Sequence, residues 1–128
     1  MLKQSGIFRY IKNNEDHKIK LTVTDNYLNM IVCTFDNVYK IGEYNFNRED
    51  LITFVNAIKK SWIEENNVSI NIKSKEIDII NRYSNYERVM DIKINNKCII
   101  YGFDIKLSRK WHQALAQIIN NKKTNHLR

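Results

Sequence analysis

The segment FNREDLITFVNAIKKSW, residues 46–62, has the clearest structural pattern in this chain. Asn47 is a good helix N-cap, Asp50 stands at the N3 position, and apolar residues recur three and four positions apart. The pattern predicts an amphipathic helix over residues 46–62, with Lys59 and Lys60 suiting the C-terminal end of its dipole. Its apolar stripe consists of Leu51, Phe54, Val55, Ile58 and Trp62.

A similar pattern returns near the C-terminus, where Ser108 is the predicted N-cap of a second helix over residues 107–119. Aligning Asn47 with Ser108 also aligns Phe54 with Leu115. The chain therefore contains a strands-then-helix element twice, either through duplication or because two helices do similar jobs. The apolar stripe of the second helix consists of Trp111, Leu115, Ile118 and Ile119.

Around the helices, apolar and polar residues alternate as in half-buried strands. We predict seven strands, at residues 18–24, 27–35, 38–44, 68–73, 76–83, 88–94 and 97–107. Asp-Asn pairs at residues 25–26 and 36–37 and an Asn-Asn pair at residues 95–96 predict tight hairpin turns. The expected fold is α+β, with antiparallel meander sheets of about seven strands and two amphipathic helices in the order βββα-ββββα.

Length and composition favour a single globular domain over residues 1–128, with residues 1–17 and 122–128 as flexible ends. The hydrophobic share of 43% is that of a globular chain rather than a disordered one. No apolar stretch reaches bilayer length and no signal-peptide pattern opens the chain, so we expect a cytoplasmic protein without membrane contact. Cys33 and Cys98 are expected to be free thiols, with a disulfide between them as the alternative.

The sequence contains no set of residues that is typical of catalysis. His112 is not placed beside a Cys or Ser, and nearby lysines favour solvated ion pairs for the carboxylates of Glu76, Asp78, Asp91 and Asp104. Glycine-rich phosphate loops and Cys/His zinc spacings are absent. We therefore expect a protein that is not an enzyme and needs no cofactor or metal.

The segment RYSNYER, residues 82–88, is the part of the chain most typical of a binding site. Tyrosine and arginine are enriched at interface hot spots. Tyr83 and Tyr86 offer rigid surface, while Arg82 and Arg88 can contact carboxylate or phosphate. We predict that these four residues bind a partner. The alternative is a hairpin end whose tyrosines cover a sheet edge.

The net charge of +7 is concentrated toward the C-terminus, and no acidic residue occurs from position 106 onward. Arg109 and Lys110 fall in the first turn of the predicted second helix, where cations oppose the dipole. Together with Lys122 and Lys123, they are candidate contacts for an anion or an acidic surface, although an Asp or Glu of the chain itself would relieve the same cost. A basic nucleic-acid-binding module is therefore an alternative function.

The layout resembles the WapI-type bacterial immunity proteins, small α+β proteins that accompany polymorphic toxins. The resemblance rests on the helix start NREDLITF (residues 47–54) and the strand YGFDIKL (residues 101–107), and covers residues 18–120. The chain departs from that pattern in lacking a glycine-containing turn near Ser84 and in being basic. The resemblance implies an immunity protein that neutralises a toxin. A composition rich in Asn, Ile and Lys, which have AT-rich codons, indicates an AT-rich bacterium, or a phage or mobile element within one, as the source. If the source is a phage, the expected partner is a host-defence nuclease instead of a toxin.

Overall fold

The computed structural model describes residues 4–12, 15–24, 27–33 and 40–124, which contain eight strands and two helices. The strands are β1 (Gln4–Lys12), β2 (Glu15–Val23), β3 (Tyr27–Cys33), β4 (Lys40–Asn47), β5 (Val68–Ile72), β6 (Lys75–Ser84), β7 (Glu87–Ile94) and β8 (Lys97–Phe103). The helices are α1 (Arg48–Glu64), which follows β4, and α2 (Ile105–Thr124), which follows β8.

The strands form two antiparallel four-stranded sheets, and in each sheet every strand pairs with its neighbours in the chain. The predicted α+β class is confirmed, with eight strands rather than seven in the described residues. The additional strand is β1, which lies in the end expected to be flexible. Its apolar residues do not alternate, because Ile7 and Phe8 are adjacent, as are Tyr10 and Ile11. The sequence of β1 therefore lacks the alternating pattern by which the other strands were predicted.

The chain divides into two compact units, and each helix has one part in each of them. Unit 1 comprises residues 1–52 and 114–128, and therefore holds β1 to β4. Unit 2 comprises residues 53–113, and therefore holds β5 to β8.

The core of unit 1 follows the predicted alternation of β2, whose Ile19, Leu21 and Val23 are all buried. Opposite Leu21 in the register lies Met30 of β3, which is fully buried. The predicted turns at residues 25–26 and 36–37 lie outside the described residues.

The start of α1 confirms the predicted N-cap. The side-chain oxygen of Asn47 accepts a hydrogen bond of 2.7 Å from the backbone amide of Asp50, which satisfies one of the open N–H groups of the first turn. The other end differs from the prediction. The helix continues to Glu64, so Lys59 and Lys60 lie before the last turn, which contains no basic residue.

In unit 2, Met90, Ile92 and Ile94 of β7 are buried on one face, as their alternation predicted. The turn between β7 and β8 is also the predicted one, with Asn95 and Asn96 at positive φ. This two-residue turn matches the twist of the strands it joins.

Strand β8 departs from the prediction, because it ends at Phe103 and does not keep its alternation. Gly102 has a φ of 65°, and its N–H donates to the carboxylate of Asp91 at 2.7 Å, where the register between β7 and β8 shifts. The irregularity turns Tyr101 outward, with 59% of it exposed, whereas the alternation grouped it with the buried Ile99.

Helix α2 starts at Ile105, so Ser108 is not its N-cap. Asp104 takes that role, because its carboxylate accepts a 2.8 Å hydrogen bond from the amide of Leu107. Ser108 is buried inside the helix instead. The helix continues to Thr124, so residues 122–124, which we assigned to a flexible end, are helical.

The earlier start of α2 also changes how the two strand–helix elements align in sequence. When Asn47 is aligned with Asp104, the two N-caps coincide, and completely buried residues of one element align with completely buried residues of the other. The matched pairs are Phe46 with Phe103, Phe54 with Trp111, and Ile58 with Leu115.

Neither of the two helices in the described residues is both long enough and apolar enough to cross a membrane. Cys33 and Cys98 are free thiols, each partly buried, so the alternative of a disulfide between them is not realised.

Candidate partner-binding site

The predicted partner-binding residues lie on the hairpin that β6 and β7 form in unit 2. Tyr83 pairs with Arg88, and Ser84 pairs with Glu87, which leaves a two-residue turn. Asn85 and Tyr86 occupy that turn with φ values of 51° and 67°. Two positive φ values identify a type I′ turn, for which Asn-Gly is the favoured sequence. Asparagine tolerates this backbone, but an aromatic residue adopts it at a cost in free energy.

Both tyrosines of the hairpin point into solvent. Tyr83 is 72% exposed and Tyr86 is 101% exposed. They therefore do not cover a sheet edge, which was the alternative interpretation of this segment. Two large aromatic side chains are available at one hairpin end for contact with another molecule.

The two arginines have different surroundings from the tyrosines. Arg82 donates from Nε to Oδ2 of Asp91 at 2.6 Å and from Nη2 to Oδ1 at 3.2 Å. Its guanidinium also lies 4.7 Å from the centre of the Tyr101 ring. These hydrogen bonds raise the pKa of Arg82. Because Asp91 is only 6% exposed, Arg82 serves mainly to pair a buried carboxylate.

Arg88 is held at the C-terminal end of α1. It donates to the carboxylate of Glu65 at 2.6 Å and to the backbone carbonyl of Trp62. Glu65 is in the left-handed region with a φ of 58°, and the amide of Asn66 donates to the carbonyl of Ser61 at 3.2 Å. This is the Schellman arrangement of a helix end, built with Glu where Gly is usual. Arg88 supplies the positive charge that the last turn of α1 lacks.

The basic residues of α2 do not lie where the sequence placed them. Because α2 starts at Ile105, Arg109 and Lys110 fall in its second turn and Asp104 caps the first. The guanidinium of Arg109 lies 5.8 Å from the Trp62 ring centre, and Lys110 is exposed. Lys122 and Lys123 belong to the same helix, but their side chains lie outside the described part. The role of these four residues in contacting an anion stays a prediction.

A shallow depression beside the hairpin tip adds residues that we did not predict from the sequence. It is lined by Glu87, Arg88, Asp104, Ile105 and Lys106. The signal for Asp104 was present, since an Asp that precedes an apolar-periodic run is typical of an N-cap. The long alternating pattern of β8 concealed that signal. Nothing local in the sequence indicates that Ile105 is exposed, because that depends on which way the first turn of α2 faces.

Among the polar groups considered for catalysis, Asp78, Asp91, Asp104 and His112 make structural contacts in unit 2. Asp91 is buried, so the solvated ion pair expected for it was wrong. Asp78 accepts a hydrogen bond from the hydroxyl of Ser69 at 2.7 Å, while Asp91 and Asp104 accept the bonds described above. His112 makes an edge contact with the Trp62 ring, and burial, with a smaller effect of Lys59, lowers its pKa. Burial also raises the pKa of the Cys98 thiol. Among the described residues, no three His, Cys, Asp or Glu side chains form a group that could hold a metal ion.

Comparison with known proteins gives no family assignment, because no family model matches the chain and no curated protein matches it.

Proposed function

We propose that this chain is a small non-enzymatic interaction protein that binds and neutralises a protein partner by occluding its surface. The observation that carries the proposal is the conformation of Tyr86. Its side chain is fully exposed, and its backbone is left-handed, where a tyrosine costs stability. A residue that weakens the turn without contributing to the core is accounted for by a contact with another molecule.

The proposed contact consists of Tyr83 and Tyr86. Arg82 and Arg88, which we predicted to contact the partner, contribute indirectly, because their bonds to Asp91 and Glu65 hold the strands and the helix end behind the tyrosines. The proposed partner is a toxin, in which case this is an immunity protein, or a defence nuclease, in which case it is an anti-defence inhibitor. The proposed location is the cytoplasm, whose reducing conditions suit the free thiols of Cys33 and Cys98.

The experiment that tests this proposal is affinity capture with a turn variant. The full chain is immobilised and exposed to a nuclease-treated lysate of the cells that encode it, so that retained proteins are not held through nucleic acid. Tyr86→Gly creates the favoured Asn-Gly turn, so it removes the ring without weakening the hairpin. Asn96→Gly changes the β7–β8 turn in the same way and is the matched control.

We expect a protein that the wild type and Asn96→Gly retain and that Tyr86→Gly does not. If the same proteins are retained by all three chains, the tyrosine tip is not the binding site. A parallel capture from untreated lysate completes the test, because retention that is seen only without nuclease would point to nucleic acid instead.

A nucleic-acid-binding function is the second candidate, and one observation in unit 1 favours it. Arg9 of β1 lies directly opposite Lys18 of β2, and Lys20 follows on the same face. The three basic residues therefore share one face of the β1–β2 pair, and basic residues grouped on one face are typical of surfaces that contact a phosphate backbone. The test is binding of generic duplex DNA and single-stranded RNA at increasing salt. Affinity that falls steeply with salt and is reduced in Lys18→Gln/Lys20→Gln supports it, and no binding at low salt excludes it.

A further inference from the structure

Three segments of unit 2 meet at the hairpin tip. Arg88 connects β7 to the end of α1 through its bonds to Glu65 and to the carbonyl of Trp62. The same part of β7 lies next to the start of α2, because Glu87 and Arg88 line the depression together with Asp104. The exposed tyrosines therefore stand beside the C-terminus of α1 and the N-terminus of α2.

The charge at this end of unit 2 is opposite in sign to the charge of the protein. The hairpin end and the two helix ends contain two ion pairs, Arg82 with Asp91 and Arg88 with Glu65, which add nothing to the net charge. The remaining charged residues are three acidic ones and two basic ones, namely Glu64, Glu87 and Asp104 against Lys106 and Arg109. The whole chain carries a net charge of +7. The surroundings of the tyrosines are thus locally acidic.

The exposed apolar groups at this end suit a cationic side chain. Tyr83 and Tyr86 present ring faces and edges to solvent, and Ile105 is 43% exposed on the wall of the depression. A lysine or arginine side chain packs its methylene groups on such surfaces and places its charge over an aromatic ring or against a carboxylate. Glu87 follows Tyr86 in the chain and Asp104 precedes Ile105, and both acidic residues line the same depression as Ile105.

We propose that this tip surface, formed by Tyr83, Tyr86, Glu87, Asp104 and Ile105, binds a lysine- or arginine-bearing segment of the protein partner. The proposal rests on the proposed function and names the chemistry of the partner at that site. At physiological ionic strength the screening length is about 8 Å. The nearby carboxylates therefore act on a bound cation more strongly than the distant positive charges of the chain.

The first test maps peptide binding on the isotope-labelled full chain by NMR. The probes are an arginine- and glycine-containing peptide and a glutamate- and glycine-containing peptide of equal length. We expect the arginine peptide to shift the amide signals of residues 83–88 and 104–106, although the protein as a whole repels it. The glutamate peptide should leave those signals unchanged. Binding of the glutamate peptide at the tip, or no response of the tip to the arginine peptide, overturns the proposal.

The second test reverses one charge. Glu87→Lys should weaken binding of the arginine peptide about tenfold, which corresponds to about 1.4 kcal/mol. Glu76→Lys makes the same change at the other end of β6, where Glu76 is also exposed, and should change the affinity less than about twofold. Equal effects of the two variants would show that only the total charge of the chain matters, which would contradict a cation site at the tip.

The same pair of variants separates this inference from the proposed function. In the capture experiment, a partner that is lost with Tyr86→Gly but retained by Glu87→Lys would support the tyrosine contact and exclude the cationic chemistry. A partner that is retained by Tyr86→Gly would contradict the proposed function itself, whatever the peptides show.

Discussion

The guanidinium of Arg88 lies 2.6 Å from the carboxylate of Glu65, a residue whose backbone is in the left-handed region. The two side chains come from β7 and from the residue that follows α1. Their ion pair, together with the bond from Arg88 to the carbonyl of Trp62, fixes the end of the helix that the sequence leaves without a basic residue or a glycine.

Arg88→Met should therefore lower the free energy of unfolding by about 2 kcal/mol, because it leaves the helix end without its charged donor. Glu65→Gly alone should be nearly neutral, since it removes a solvent-exposed ion pair but also relieves the left-handed strain. In the Arg88→Met background the same change should stabilise the protein by about 1 kcal/mol. Chemical denaturation of the four proteins measures the coupling. Additive effects would contradict it.

Tyr86→Gly should raise the free energy of unfolding by about 1 kcal/mol, because glycine adopts the positive φ without strain and the exposed ring contributes no burial. Asn96→Gly, at the corresponding position of the β7–β8 turn, should give a smaller gain of a few tenths of a kcal/mol, since asparagine already tolerates that backbone. Thermal and urea unfolding check both values. A Tyr86→Gly protein that is less stable than the wild type would mean that the ring packs on the fold.

Asp104→Ala should lower the free energy of unfolding by about 1 kcal/mol, the usual cost of losing an N-cap. Ser108→Ala serves as the comparison, because its hydroxyl makes only a long 3.5 Å contact with the carbonyl of Phe103. We expect Ser108→Ala to cost clearly less than Asp104→Ala. If Ser108→Ala were the more damaging change, the helix would begin where the sequence alone placed its start.

His112 should make the stability depend on pH below neutrality. Burial lowers its pKa in the folded state, so the unfolded chain binds the proton more readily. At a pH above the ordinary histidine pKa of about 6.5, His112 is neutral in both the folded and the unfolded chain and does not lower the free energy of unfolding. As the pH falls below that value toward the lower folded-state pKa, protonation of the unfolded chain lowers the free energy of unfolding.

Denaturation at a series of pH values should show a smaller loss for His112→Gln than for the wild type between neutral and mildly acidic pH. An NMR titration of His112 supplies the direct measurement. In Lys59→Gln its pKa should move back toward the ordinary value, because the positive charge of Lys59 contributes to the shift. A His112 that titrates above the ordinary value would contradict the burial.

The sequence predicted the regular parts of this fold because their signals are local. The alternation of Ile19, Leu21 and Val23 identified the buried face of β2, and Asn47 was correctly identified as the cap of α1. The prediction failed at β8 because its alternating pattern runs on into α2. Only the bond from Gly102 to Asp91, a contact between strands, reveals where that pattern is interrupted.

At the candidate site, too, the sequence predicted what depends on local signals and not what depends on contacts between distant segments. Residue type singled out Tyr83 and Tyr86 as binding residues, but it left open whether they cover a sheet edge, and only the structure shows that they are exposed. The contacts of Arg82 and Arg88 were not predicted, because their partners lie 9 and 23 positions away in the chain. The acidic surroundings of the tip could not be predicted either, since Glu64, Glu87 and Asp104 come from three separate segments.

The division of the chain into units has a consequence for its synthesis. Unit 2 is one continuous stretch, residues 53–113, whereas unit 1 also needs residues from 114 onward. On the ribosome, unit 2 has all of its residues before unit 1 does. The sheet made from the earlier codons therefore lacks part of its own unit until the last turns of α2 have been synthesised.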